Sequence, residues 1–271
     1  MFFSILFAKL FKLKIISRIN ASPDIYLKNT LKRFFFNKIY KLSNIVIVNS
    51  NDFKKKVKKY INISTKVIYN PSFNSKKNKL ILKSIRIKKN NYVNLLNVGR
   101  LVHQKNQILL IEAMKYLKLR SNINFKLKII GNGYLYKFLN ESIKKNDLSS
   151  DIKIVRNITD PTKFYLKSDY FILSSLYEGL PNALIEAISY KKISLSSNCP
   201  TGPREILLNG KAGYLYKNNN YKKLARTLLK AINNKKESQK KLQLAYRSLK
   251  RFDEENNCKK YLSILSKLIY D

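Results

Sequence analysis

The stretch 176-LYEGLPNALIEAISYKK-192 sets two glutamates, Glu178 and Glu186, on either side of a seven-residue interval that contains Gly179 and Pro181. It follows YFILSS, a short aromatic and β-branched run suited to a buried strand, and leads into apolar residues at helical spacing. Strand, turn and helix thus succeed one another. With Pro181 in the first helical turn, the free N–H groups of Gly179, Leu180 and Asn182 point out of a helix start, where the positive dipole end seats a phosphate. Neither carboxylate suits a phosphate, because like charges repel. Both accept hydrogen bonds from hydroxyls, so their natural partners are sugars on either side of a diphosphate. The spacing fits a nucleotide sugar.

Working outward, the same rhythm repeats. NIVIVNS, YVNLLNVG, FKLKIIG, IKIV, YFILSS and KISLSS read as short strands, each followed by a helix-like stretch. Asp160 before Pro161 reads as an N-cap with proline at the first helical position, and Gly210 after GPREILLN reads as a stop. The expected fold is α/β, a doubly wound parallel (Rossmann-like) sheet with helices on both faces. Beyond residue 218 the pattern is helical to the end.

The rhythm lapses between Pro71 and Asn91, in a basic stretch poor in caps. We expect residues 1–71 to be an N-terminal remnant, 72–91 a basic linker, and 92–271 a full domain with C-terminal helices. The opening MFFSILFAKLFKLKIISRI is apolar, yet Lys9, Lys12 and Lys14 interrupt it well short of the ~18 uncharged residues of a spanning helix. It reads as an interfacial amphipathic segment, or as a short helix leading into a buried strand at KIISRI.

Composition narrows the chemistry. Two cysteines, Cys199 and Cys258, make no disulfide framework and lack metal-ligand spacing, and a single histidine, His103, removes most zinc and histidine-based schemes. The chain reads as cytoplasmic and metal-free. Its net charge of +39 attracts polyanions, either nucleic acid or the anionic face of a bilayer. No motif that reads nucleic acid is present. Lysine and asparagine are spread throughout, as a biased codon composition would leave them.

In open parallel sheets, ligands sit beyond the carboxyl ends of the strands. After YVNLLNVG come Arg100 and Lys105, a forked guanidinium and a compact ammonium suited to a diphosphate. After FKLKIIG comes Gly131-Asn132-Gly133, where missing side chains would let a ligand approach the backbone. After KISLSS comes NCPTGPREI, in which Cys199 reads as a small core residue and Arg204 with Glu205 as shaping their loop.

These residues resemble a known family. EGLPNALIE is similar to the Glu, seven residues, Glu signature of retaining glycosyltransferases of GT-B architecture, and GRLVHQKN resembles their donor-phosphate motif. CPTGPREILLNGKAGYLY is similar to the glycine-proline-glutamate loop and following strand of the same group, family 4 or group 1. The resemblance covers residues from about 92 onward, and residues 13–71 more loosely as the end of the family's first domain. It implies the C-terminal donor-binding half of a GT-B fold, acting on a nucleotide sugar, a UDP-sugar, with no cofactor or bound metal. Arg100 and Lys105 would neutralise the donor diphosphate, Glu186 would hold ribose, and Glu178 would bind and orient the transferred hexose. The amides of Gly179, Leu180 and Asn182 would contact sugar and phosphate, and the base would rest near Ile158 and Gly131.

The departure from the family is at the front, where only about 70 residues precede the linker and no histidine serves acceptor activation. Donor binding is therefore better supported than turnover. The acceptor implied is a glycan or a lipid-linked species at the inner face of the plasma membrane, where the basic surface suits anionic lipid. Two alternatives stay open: a noncatalytic or half-enzyme subunit needing a partner chain that supplies an acceptor domain, and a basic nucleic-acid-binding protein.

Overall fold

The computed structural model describes residues 2–20, 29–60, 62–83 and 91–270. The chain opens with helix α1 (Phe2–Leu10), β1 (Ile16–Ile19), α2 (Thr30–Lys41), β2 (Ile45–Val48), α3 (Asn51–Tyr60), β3 (Lys66–Val67) and α4 (Ser75–Lys83). It continues through β4 (Val93–Val98), α5 (Ile108–Arg120), β5 (Phe125–Ile130), α6 (Tyr136–Lys145), β6 (Ile152–Val155), α7 (Thr162–Lys167) and β7 (Tyr170–Leu173). Then come α8 (Asn182–Ser189), β8 (Ile193–Ser197), α9 (Pro203–Ile206), β9 (Tyr214–Tyr216), α10 (Tyr221–Asn233), α11 (Lys235–Ser248) and α12 (Glu254–Tyr270).

Among the described residues there are two parallel sheets, a small one of order β1-β2-β3 and a six-stranded one of order β6-β5-β4-β7-β8-β9. The large sheet is the expected doubly wound sheet. Side chains alternate between its faces: Leu95, Leu127, Ile129, Tyr170 and Ile172 pack under α5, α6 and α10. Their neighbours Leu96, Ile130, Phe171 and Leu173 pack under α8 and α11. Burial on both faces explains why these strands read as continuous apolar runs. Winding proceeds from β4 to one edge, then resumes beside β4 at β7 toward the other. The loops leaving β4 and β7 therefore diverge and open a crevice at the carboxyl ends of the strands.

Within the stretch expected as a basic linker, 72–91, the described residues make contacts with the large sheet's half. Phe73 pairs with Asp253 in a parallel bridge and joins the core of the large sheet. Helix α4 docks there as well, its buried Asn78 donating to Ser189 Oγ at 2.8 Å. The remainder of that stretch, 84–90, lies outside the described residues. At the other end α12 leaves the large half and returns to the small sheet, where Ile264 packs on Ile47 and Ile68. Apolar Phe73 and buried Asn78 hold the first half of the stretch in place.

A carboxylate also joins the two halves. Glu205, on α9, accepts the N–H of Asn51 at 3.1 Å and of Asp52 at 2.8 Å, the first amides of α3. Ser50 Oγ takes the next one, from Phe53, at 3.1 Å. Tyr69 donates its hydroxyl to Glu205 at 2.5 Å, and Arg251 donates to the main-chain oxygen of Glu205 at 2.9 Å. Glu205 thus caps a helix of the other half, a wider role than shaping its own loop.

Candidate functional site

A cleft of about 1070 Å³ lies between the two sheets at the reversal point of the large one. Arg100, Lys105, Ile158, Glu178, Gly179 and Leu180 line it, as do Asn182 and Glu186. The sequence-derived donor residues thus converge on one cavity, with the exception of Gly131.

Lys105 ends a 3₁₀ turn, His103–Lys105, closed by Asn106 in the left-handed region at φ 49°. That turn is fastened to the loop after β7. Leu176 N–H donates to Gln104 O at 2.8 Å, Gln104 Nε2 to Tyr177 O at 2.9 Å, and Ser174 Oγ to Lys105 O at 2.7 Å. The result is that Lys105 Nζ meets Glu178 Oε1 at 2.5 Å, with Ser175 Oγ donating to the same oxygen at 2.6 Å. Side-chain exposure is 17% for Lys105 and 6% for Glu178, so the pair is shielded from water and each partner fixes the other. Arg100 is exposed at the rim, while its main-chain oxygen is held by Gln107 Nε2 at 2.9 Å. His103 is exposed.

Helix α8 begins at Asn182, and Pro181 takes the cap position with an extended ψ of 105°. The expected proline in the first turn is thus one step earlier, with the same effect: its missing N–H costs no hydrogen bond. Among the described residues no acceptor takes the N–H of Gly179, Leu180 or Asn182. The loop is shaped by close approach. A Cβ on Gly179 would stand 2.5 Å from Asn20 O, and one on Gly202 (φ 76°) 2.3 Å from Gly179 O. Thr201 Oγ1 donates to Glu178 O and fastens the loop from behind. The side chain of Leu180 is turned into the core, so that residue can offer the cleft its backbone.

Glu186 sits one turn into α8, half-buried. Burial pushes its carboxyl above the usual carboxylate range, while Tyr165, donating to Oε2 at 2.9 Å, pulls it back toward the ionised form. Tyr165 is buried, stacked on Tyr190 at 5.4 Å, and its hydroxyl is raised well above 10 by burial and by Glu186. Cys199 is buried nearby, its thiol pushed up to about 12 by burial. Among the described residues no three His, Cys, Asp or Glu side chains stand together as metal ligands.

Gly131 stands against the turn after β4. A Cβ there would stand 2.0 Å from Gly99 O, and one on Gly133 2.2 Å from Leu101 O. Both glycines let the turn after β5 lie against the turn after β4, so the GNG stretch supports the Arg100 loop from behind. Asp160 accepts from Thr162 N–H at 2.9 Å, as an N-cap does, although α7 starts at Thr162.

The far wall of the cleft was not read from the sequence. Arg18, Asn20, Asn49, Asn70 and Ser72 come from the small sheet and the connection after it. Arg18 donates to Asn70 Oδ1, Asn70 Nδ2 to Asn182 Oδ1 at 2.6 Å, and Ser72 Oγ to the same oxygen at 3.2 Å. A polar bridge therefore crosses to the start of α8. Arg18, Asn20, Asn49 and Asn70 lie in or just beyond KIISRI, NIVIVNS and KVIYNP, so the strand-end rule was the signal available.

The chain is similar to a glycosyltransferase of Methanocaldococcus jannaschii, 37% identical over 176 residues, which cover 62% of this chain and 43% of that protein. It is 30% identical over 217 residues to the capsular polysaccharide biosynthesis glycosyltransferase CapH of Staphylococcus aureus, covering 74% of this chain and 59% of the relative. The chain thus spans about half the length of the curated relatives it matches. Among solved structures, HepE of Anabaena in complex with UDP superposes with a TM-score of 0.83, covering 98% of this chain and 76% of that one. Identity there is 16%, so this likeness speaks for the GT-B fold. Residues 78–248, more than half of the chain, match the family model of the glycosyl transferases group 1, and the chain belongs to that family.

Proposed function

We propose that the cleft binds a UDP-hexose and that the chain takes part in transferring the hexose, with retention of configuration, to a glycan or lipid-linked acceptor. The observation that carries this reading is the convergence of Arg100, Lys105 and the unpaired amides of Gly179, Leu180 and Asn182 in one cavity, with Glu178 and Glu186 on either side. The amides and the two cations receive the diphosphate. As the sugar–phosphate bond breaks, negative charge grows on the leaving diphosphate, and groups already in place stabilise it without reorganising. Glu186, its carboxylate steadied by Tyr165, accepts from the ribose hydroxyls, and Ile158 offers an apolar face to the base. Glu178 holds Lys105 in register and directs its remaining oxygen toward the hexose. UDP bound to HepE supports the donor, and the capsular role in the name of CapH supports a glycan acceptor.

A second reading has its own observation. Among the described residues β1 pairs only with β2, so the small sheet ends in an open parallel edge. A partner chain adding strands there would complete the acceptor side, and this chain would be the donor-binding half.

Calorimetric titration with UDP and UDP-glucose tests the donor site. Lys105→Ala and Glu186→Ala should each weaken binding by about tenfold or more, ~1.4 kcal/mol. Absence of nucleotide binding, or binding indifferent to both changes, refutes the proposal. Binding without transfer, gained on adding an acceptor-domain chain, selects the second reading.

A further inference from the structure

Helix α1 touches α2, and together they leave an unusual surface. Among the described side chains of α1, Ile5 is the buried one, at 2% exposure, and it anchors the helix to the body. Phe3, Leu6, Phe7 and Leu10 face outward, followed in the next turn by Phe11 and Leu13; all are between 49% and 87% exposed. On α2, Leu31, Phe34 and Phe35 are 52% to 64% exposed. Exposed apolar side chains gathered on two touching helices mark an interaction site.

Charge identifies its occupant. The first fifty residues hold nine lysines and arginines against one acidic residue, Asp24. Lys9, Lys12, Lys14, Lys32, Lys38 and Lys41 are all exposed around the apolar side chains. A protein partner burying this face would have to desolvate that ring, whereas anionic headgroups match it and lysine stems can reach up to them from a helix lying in the interface. Among the described residues no helix is long and apolar enough to cross a membrane, so the contact is with the surface.

We infer that the α1–α2 face docks onto an anionic lipid bilayer, with the phenylalanines and leucines entering the acyl boundary and the lysines meeting the headgroups. A hollow of about 780 Å³ lined by Phe3, Leu6, Phe7, Leu10 and Leu13 offers room for part of an acyl chain. Strand β1 runs from this face straight to the cleft, where Arg18 and Asn20 stand. Docking would bring the cleft to the membrane surface. The inference is independent of sugar transfer.

Co-sedimentation with vesicles of phosphatidylcholine alone, and of phosphatidylcholine mixed with phosphatidylglycerol, tests it. The protein should partition to the mixed vesicles by about tenfold or more over the neutral ones, and less as salt rises. Phe7→Ser with Phe34→Ser should cut that partition about tenfold while UDP binding stays unchanged, which also reports that the fold is intact. Lys12→Glu with Lys14→Glu should reduce it independently, and decides the matter if the serine variant does not fold. Equal binding to both vesicle types, or partition unmoved by the foldable variants, overturns the inference. So does a lipid-free, concentration-dependent dimer in light scattering that Phe7→Ser with Phe34→Ser abolishes, because the face would then belong to a second copy.

Discussion

Glu205→Ala should loosen the joint between the two sheets by about 2 kcal/mol. The carboxylate accepts the Asn51 and Asp52 amides at 3.1 and 2.8 Å, and losing a capping acceptor costs about 1 kcal/mol. Tyr69, half-buried, donates its hydroxyl to Glu205 at 2.5 Å; stranding that donor adds about 1 kcal/mol. A small opposing effect comes from Asp52, whose carboxyl is raised by burial and by the charge of Glu205, and relaxes when that charge is gone. For a chain of this size, 2 kcal/mol lowers Tm by about 4–8 °C. Thermal unfolding followed by circular dichroism gives the number, and a cycle with Tyr69→Phe isolates the pair, with an expected coupling of about 1 kcal/mol. A Glu205→Ala protein within about 0.5 kcal/mol of wild type, or strict additivity with Tyr69→Phe, would refute the capping role.

Two further outcomes follow from the cleft. Glu186 has a folded-state pKa raised by burial, so ionised Glu186 disfavours folding as pH rises through that value; with Glu186 as the proposed acceptor for the ribose hydroxyls, nucleotide affinity should fall as pH drops through it. Tyr165→Phe removes the hydrogen bond that favours the carboxylate and should move the affinity midpoint to higher pH; titrations across the acid range with an unmoved midpoint would contradict this. Gly131→Ala, outside the cavity, should still weaken UDP binding and destabilise by about 1–3 kcal/mol, because its Cβ would stand 2.0 Å from Gly99 O and displace the Arg100 turn; a variant matching wild type in calorimetry and melting would count against that.

What could be read from the sequence was local. The Glu178–Glu186 interval, Arg100 and Lys105 each lie within a few residues of a strand end, and strand periodicity alone places them on one rim of the sheet. The Lys105–Glu178 contact was not legible, since the residues are 73 apart and meet only because the turn at His103–Lys105 is fastened to the loop after β7. Gly131 shows a different limit. A glycine signals close approach, but that the backbone of the turn after β4 is what comes near is set by residues some thirty positions away. Glu205 lies 153 residues from Asp52, and nothing local says that its carboxylate serves a helix of the other half. Arg18 and Asn70 were hidden for the same reason.

Helix α12 starts beside Phe73 and packs Ile264 over Ile47 of β2 and Ile68 just after β3, so the last stretch of the chain roofs the first sheet. Removing it would do more than trim a tail: Ile47 and Ile68 would lose the apolar cover that Ile264 and Tyr261 provide. Neither half of this chain, cut free at the connection, would carry a finished surface of its own.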